Sequence, residues 1–221
     1  MRPGQRQDGV TLISLLVGLV ISMIVVVALM NVFRSVIRVT ANANVSANSD
    51  NQLASSLLRS GMSVLDAGYG ITSGKFGTHI VLISGATLSA SGTLSGTAAA
   101  AGTTANAVVW AYQYPSSTSV QCAGLYAFPS PSSTSPALAH LGPINCSDAT
   151  GWNSATWAST TVAGQSSGAI TFVANSTACQ PLGIGALKSP YSLTMSGPSS
   201  ATQSGTALPI AITQCLMNIV Q

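Results

Sequence analysis

Residues Gly164 to Gly168 read GQSSG, which satisfies G-x-S-x-G, the elbow that lifts a nucleophilic serine between a strand and a helix for attack on an acyl carbon. The segment that follows, AITFVA (Ala169 to Ala174), has the composition of a strand, and in a chain with 21 glycines the match is expected by chance. A second set, His140, Cys146 and Asp148, contains the types of a base, a nucleophile and an orienting carboxylate. Nothing in their spacing requires the three to converge, and the cysteine is better placed in a disulfide. His79 opens a strand and reads as a surface residue. Neither a phosphate-binding loop nor a dinucleotide fingerprint occurs. The expectation is a protein that is not an enzyme and needs no cofactor.

Cys122, Cys146, Cys179 and Cys215 all lie in the C-terminal half, and none belongs to a C-x-x-C pair. With two histidines in the chain, that spacing makes a poor ligand set for zinc, so no metal site is expected. Disulfides suit it better, in a compartment outside the cytosol. Four cysteines allow three pairings. The expected one is local, Cys122 with Cys146 and Cys179 with Cys215, and the other two stay open. Among the aromatics, Trp110 and Tyr112 alternate on one strand face and read as core. Trp152 and Trp157 fall in a loop and are the candidates for contact with a partner.

Only 5% of the 221 residues are charged, against about 25% in ordinary domains, and Glu is missing altogether. From Phe76 onward the formal charges are Asp148 and Lys188, so solubility must come from Ser, Thr, Asn, Gln and Gly. Arg2, Arg6, Arg34, Arg38 and Arg59 lie in or near the N-terminal segment. No basic patch with interleaved aromatics follows, and no specific nucleic-acid partner is expected.

The elements that must position these residues begin with DGVTLISLLVGLVISMIVVVALM, Asp8 to Met30. As a helix, Val10 to Met30 spans about 31 Å, the hydrocarbon thickness of a bilayer. A secretory signal has an apolar region of only about 7–15 residues, and the one candidate cleavage site, Ala41-Asn42-Ala43, lies beyond Arg34 and Arg38. No proline or glycine interrupts Leu19 to Ser60, so the helix should continue past the membrane. Val36, Val39, Ala43, Ala47, Ala54, Leu57 and Leu58 form a helical stripe that would lay its outer half against a domain. DAGYGI, Asp66 to Ile71, should end it, with Gly68 and Gly70 free to take left-handed conformations. His79–Ser84, Ala107–Tyr114, Cys122–Phe128, Ala169–Ala174, Tyr191–Met195 and Leu208–Val220 read as strands of one antiparallel sheet. Gly85 to Asn106 is low in complexity and reads as an irregular loop. The Pro- and Ser-rich stretch from Ser130 to Asn145 reads as a connection between strands. The fold class is therefore α+β.

The basic leader MRPGQRQDG ends in Gly9, directly before VTLISLLVGLVIS. Here the chain resembles the type IV prepilins, whose pattern G-[F]-T-L-I-E-L-L-V it matches at Gly9, Thr11, Leu12, Ile13, Leu15, Leu16 and Val17. Val10 stands in place of Phe, and Ser14 in place of Glu. Leu58-Arg59 followed by Ala67-Gly68-Tyr69-Gly70 is similar to the end of the first helix in PilW-like minor pilins, at a longer spacing.

The resemblance implies a pilin-like fold and a leader, 1–9, cut between Gly9 and Val10 by a prepilin peptidase that also methylates the new amine. It implies a transmembrane and later filament-core half-helix at 10–33, and an extramembrane amphipathic half at 34–67. Beyond these would lie a β-rich extracytoplasmic domain at 68–221, holding the low-complexity loop 85–106 and stapled by disulfides. The precursor would cross the inner membrane once and then enter a type IV pilus or pseudopilus at the cell surface. Its partners would be other minor pilins, the major pilin and a tip adhesin. Ser14, Gly18 and Ser22 repeat every four residues and offer one helix face for close packing, as a subunit of a priming or tip complex would use. The alternative is a membrane-anchored surface-binding module, an adhesin or a DNA-uptake receptor, with Trp152 and Trp157 in its contact surface.

Overall fold

The computed structural model describes residues 12–129, 137–163, 168–180, 189–203 and 206–220. One helix, α1 (Leu12–Val64), runs 53 residues, about 80 Å at 1.5 Å per residue. Among the described residues it is followed by ten strands, all paired antiparallel, and the class is α+β and pilin-like. The chain divides into two compact units, one ending at Val45 and the other running from Ser46 to Gln221.

In the first unit every described residue is exposed. The second unit holds β1 (Ile80–Leu88), β2 (Leu94–Ala99), β3 (Thr104–Ala105), β4 (Ala107–Tyr112), β5 (Gln121–Ala127), β6 (Leu138–Asn145), β7 (Ser159–Ala163), β8 (Thr171–Asn175), β9 (Ser192–Gln203) and β10 (Thr206–Cys215). They form two sheets, where one was expected: six strands in the order β2-β1-β4-β5-β6-β7, and four in the order β10-β9-β8-β3.

The six-stranded sheet is covered on both faces, which explains why AVVWAY of β4 is buried at every position. Successive side chains on a strand point to opposite faces. Val108, Trp110 and Tyr112 join one core with Leu53, Leu57 and Val64 of α1 and with Phe172, Leu193 and Met195 of the smaller sheet. Ala107, Val109 and Ala111 join a second core on the other face with Cys122, Tyr126, Trp152 and Trp157. The local disulfides are formed, Cys122–Cys146 with Cα atoms 5.8 Å apart and Cys179–Cys215 at 5.6 Å.

Several stretches differ from the sequence expectation. Within 85–106, expected as an irregular loop, β2 pairs with the edge of β1 from Leu82↔Ala99 to Leu88↔Leu94, with a register shift between Ser84 and Thr87. At that shift Asn106 takes over the pairing: its side chain accepts from Ala86 N at 2.7 Å and donates to Ala86 O at 2.8 Å. A strand of Gly, Ser, Thr and Ala carries no β-propensity signal; an unpaired neighbouring edge recruits it. Ser130 to Asn145, expected as a connection, contains β6, held between β5 and β7. Pro143 lacks the N–H a ladder needs, and β6 bulges there, since Leu141 faces Gly124 while Ile144 faces Cys122.

The helix contact also lies further along the chain than the expected stripe. Val36, Val39, Ala43, Ala47 and Leu58 are exposed and Ala54 is half-buried. Of the expected stripe Leu57 is fully buried, and it faces the sheets together with Leu53, Ser56, Ser60, Gly61 and Val64. Small residues at 56, 60 and 61 decide this, because they let the helix approach closely. A Cβ on Gly61 would meet Gln214 and Met195 side chains at 3.0–3.2 Å.

Candidate functional site

The feature of the described chain most in need of a partner is the first half of α1. Leu12 to Phe33 carries no ionisable side chain. The helix is long and apolar enough to cross a membrane, and none of its most apolar stretch is buried within the protein. Leu, Ile and Val side chains left in water forgo about 1.5–3 kcal/mol each, so the segment requires lipid or other apolar helices around it. Arg34 and Arg38 follow the apolar run directly, where charged heads can reach the membrane surface.

Ser14, Gly18 and Ser22 lie in this helix at i, i+4 and i+8, within about 80° of one another around the axis. The Ser22 hydroxyl donates to Leu19 O at 2.8 Å, so its polarity is satisfied inside the helix and costs little in lipid. A Cβ on Gly18 would meet nothing within 4 Å. Gly9 and Val10 lie outside the described residues.

The residues that suggested catalysis do not assemble. Cys146 is oxidised to Cys122 and has no thiolate to offer. The Asp148 carboxylate caps a short 3-10 helix, Ala149–Asn153, accepting from Thr150 N. That side-chain and backbone bonding to Thr150 holds its pKa below the ordinary value. His140 instead sits in β6 with its ring edge-on to Trp110, centroids 6.1 Å apart. Burial, then the charge of Arg59, pushes its pKa down. His79 Nδ1 accepts from Lys75 N at 3.0 Å and so closes a turn. Of GQSSG, residues 164–167 lie outside the described residues. Among the described residues no three of His, Cys, Asp and Glu gather as metal ligands.

Trp152 and Trp157, expected at a contact surface, are 8% and 3% exposed. Trp157 Nε1 donates to Trp152 O at 2.9 Å, and Trp157 N donates to Gly92 O at 2.8 Å. Their loop is folded down onto the six-stranded sheet beside the Cys122–Cys146 bridge, leaving little of either ring for a partner. Both fall in a loop, as expected, but nothing in the local residues announced the sheet face beneath it.

Residues 4–30 match the family described as the prokaryotic N-terminal methylation motif. The match supports a type IV prepilin-like protein, and with the apolar α1 it is consistent with membrane anchoring and entry into a pilus. No curated protein and no solved structure matches the chain.

Proposed function

We propose that this chain is a minor pilin, a structural subunit of a type IV pilus or related pseudopilus, and that it works in a priming or tip complex. The observation that carries the reading is the methylation-motif match over residues 4–30 on a helix whose first half is uncharged and exposed throughout. In the proposed cycle a prepilin peptidase cuts between Gly9 and Val10 and methylates the new amine. The helix then leaves lipid and buries the same apolar surface among its neighbours. Exchange of one apolar environment for another costs little, so the β-rich unit is free to select which subunits fit.

Ser14 supports the position at the tip or in the priming complex. A Glu at the fifth mature position can pair with the N-terminal ammonium of another subunit, an attraction strengthened by the low dielectric of the bilayer. A hydroxyl carries no charge and forgoes that pair. Ser14, Gly18 and Ser22 compensate by letting another helix approach closely. The other minor pilins, the major pilin and a tip adhesin are the proposed partners, and the inner membrane is the proposed site of the precursor.

Mass spectrometry of membrane-extracted protein tests the processing: the first peptide should begin at Val10, methylated. A mature N-terminus near Asn44 would mean an ordinary signal peptide and end the pilin reading. Ser14→Glu and Gly18→Leu should both leave cleavage intact and weaken co-purification with other minor pilins, Gly18→Leu more strongly. Labelled protein spread evenly along sheared filaments would rule out the tip position.

A further inference from the structure

A cavity of about 320 Å³ lies beside the last turns of α1, lined by Arg59, Ser60, Ser63, His140, Thr160 and Thr161. Filament assembly through the first half of the helix makes no use of it. Its size is at the lower end of ligand pockets, which run from about 300 to 1,000 Å³, suited to one sugar ring. Two observations mark it as more than a surface dimple.

Ser60 is 2% exposed, yet its hydroxyl has no hydrogen-bond partner. Leaving a buried hydroxyl unsatisfied is unfavourable, so the site suits a group that supplies the missing bond.

The charge is equally unbalanced. Among the described residues Arg59 has no carboxylate partner, and the three described carboxylates are engaged elsewhere. Asp50 accepts from Ser199 and Ser200, Asp66 from Tyr114, and Asp148 from Thr150. A guanidinium presents donors in a fork that matches a carboxylate. The same cavity is lined by Ser60, Thr160, Thr161 and Ser63, the last donating its hydroxyl to Ser60 O at 3.1 Å, and by His140, whose neutral form is favoured by burial and by Arg59. The set is one fixed cation, several groups able both to donate and to accept, and no anion.

We propose that this cavity binds a hexuronate, with the sugar carboxylate on Arg59 and ring hydroxyls against Ser60, the two threonines and His140. The ligand is either a free sugar acid or the terminal unit of an acidic polysaccharide. The proposal is independent of the filament reading, since it uses no residue before Arg59.

Calorimetric titration of the full processed chain in detergent micelles tests it, with glucuronate, glucose and inorganic phosphate as probes. Glucuronate should bind at least about tenfold more tightly than glucose or phosphate, a gap of about 1.4 kcal/mol or more. Arg59→Gln should remove the preference for glucuronate over glucose. Ser60→Ala should weaken glucuronate several-fold while keeping or raising the thermal midpoint, because it deletes an unsatisfied hydroxyl; a purely structural serine would not separate the two readouts. Phosphate binding as tightly as glucuronate, or heats indistinguishable from dilution for every probe, overturns the proposal: the first leaves a simple anion site and the second a water-filled cavity. Co-sedimentation with polymannuronate assigns the polysaccharide as source, and glucuronate binding without it assigns the free sugar acid.

Discussion

Ser200 donates its backbone N–H to the carboxylate of Asp50 at 2.8 Å, although 150 positions separate the two. Ser199 Oγ adds a second bond at 2.8 Å, and Ser200 Oγ reaches Ser46 O at 3.2 Å. Three bonds thus tie one turn of α1 to β9, just before the first buried helix residue, Leu53.

The backbone bond from Ser200 is the first cause that lowers the Asp50 pKa below 3.8. A carboxyl with a lowered folded pKa contributes stability above its unfolded value, and that contribution is lost as pH falls below about 3.8. Asp50→Ala should lower the thermal midpoint at pH 7 by about 2–4 °C, equivalent to about 1 kcal/mol once solvent screening is allowed for. The gap between variant and parent should close in scans below that pH. With four acidic residues in the whole chain, acid has little else to remove. The parent midpoint at pH 3 should stay within about 10 °C of its pH 7 value.

Tyr114 donates to Asp66 Oδ2 at 2.9 Å, and that bond, ahead of burial, raises the Tyr114 pKa to about 12. Here the sign is opposite: stability is present below the unfolded pKa of 10 and is lost as pH rises through the folded value. Burial also raises the Tyr112 and Tyr126 pKa values, so the difference titration of parent against Tyr114→Phe is the readout: ultraviolet absorbance should show that the group lost in Tyr114→Phe is still protonated at pH 11. In Asp66→Asn the Tyr114 titration should move down toward the ordinary value.

Two glycines with ordinary backbone angles should respond differently to the same change. On Gly124 of β5 a Cβ would stand 2.8 Å from the backbone oxygen of Val108, which the sheet holds in place. On Gly61 the nearest atoms belong to the flexible side chains of Gln214 and Met195. Gly124→Ala should therefore cost about 1–3 kcal/mol. Gly61→Ala should cost less, because it also gains helix propensity of about 1 kcal/mol. Chemical denaturation of the two variants measures the difference.

Removing the Cys122–Cys146 bridge, which closes a separation of 24 residues, should cost about 3–4 kcal/mol by the loop-closure argument. Since the bridge lies under the Trp152 and Trp157 loop in the second core, the double serine variant should red-shift tryptophan emission before global unfolding. An unchanged spectrum and midpoint would mean that the loop is held by Trp157 and Gly92 alone.

The parts of this protein that sequence reveals are those whose signal is local. The apolar run after Gly9 needs no partner to be recognised, because bilayer thickness and helical rise alone fix its length. β1, β4 and β5 announce themselves by β-branched and aromatic residues, and the turn glycines at 68 and 70 do indeed have positive φ. Other features were decided by tertiary contact. Leu94 to Ala99 becomes a strand because β1 has an open edge, and Leu138 to Asn145 becomes one because it fills the gap between β5 and β7. Trp152 and Trp157 are core because their loop closes over the second face of the sheet. The buried stripe of α1 starts at Leu53, later than helical periodicity suggested, because close approach depends on Ser56, Ser60 and Gly61 and on what stands opposite them. The cavity at Arg59 joins a helix turn to strands some eighty to one hundred residues away. In each of these cases pairing or burial was settled by a surface distant in the chain, and residue type at the site carries no record of that surface.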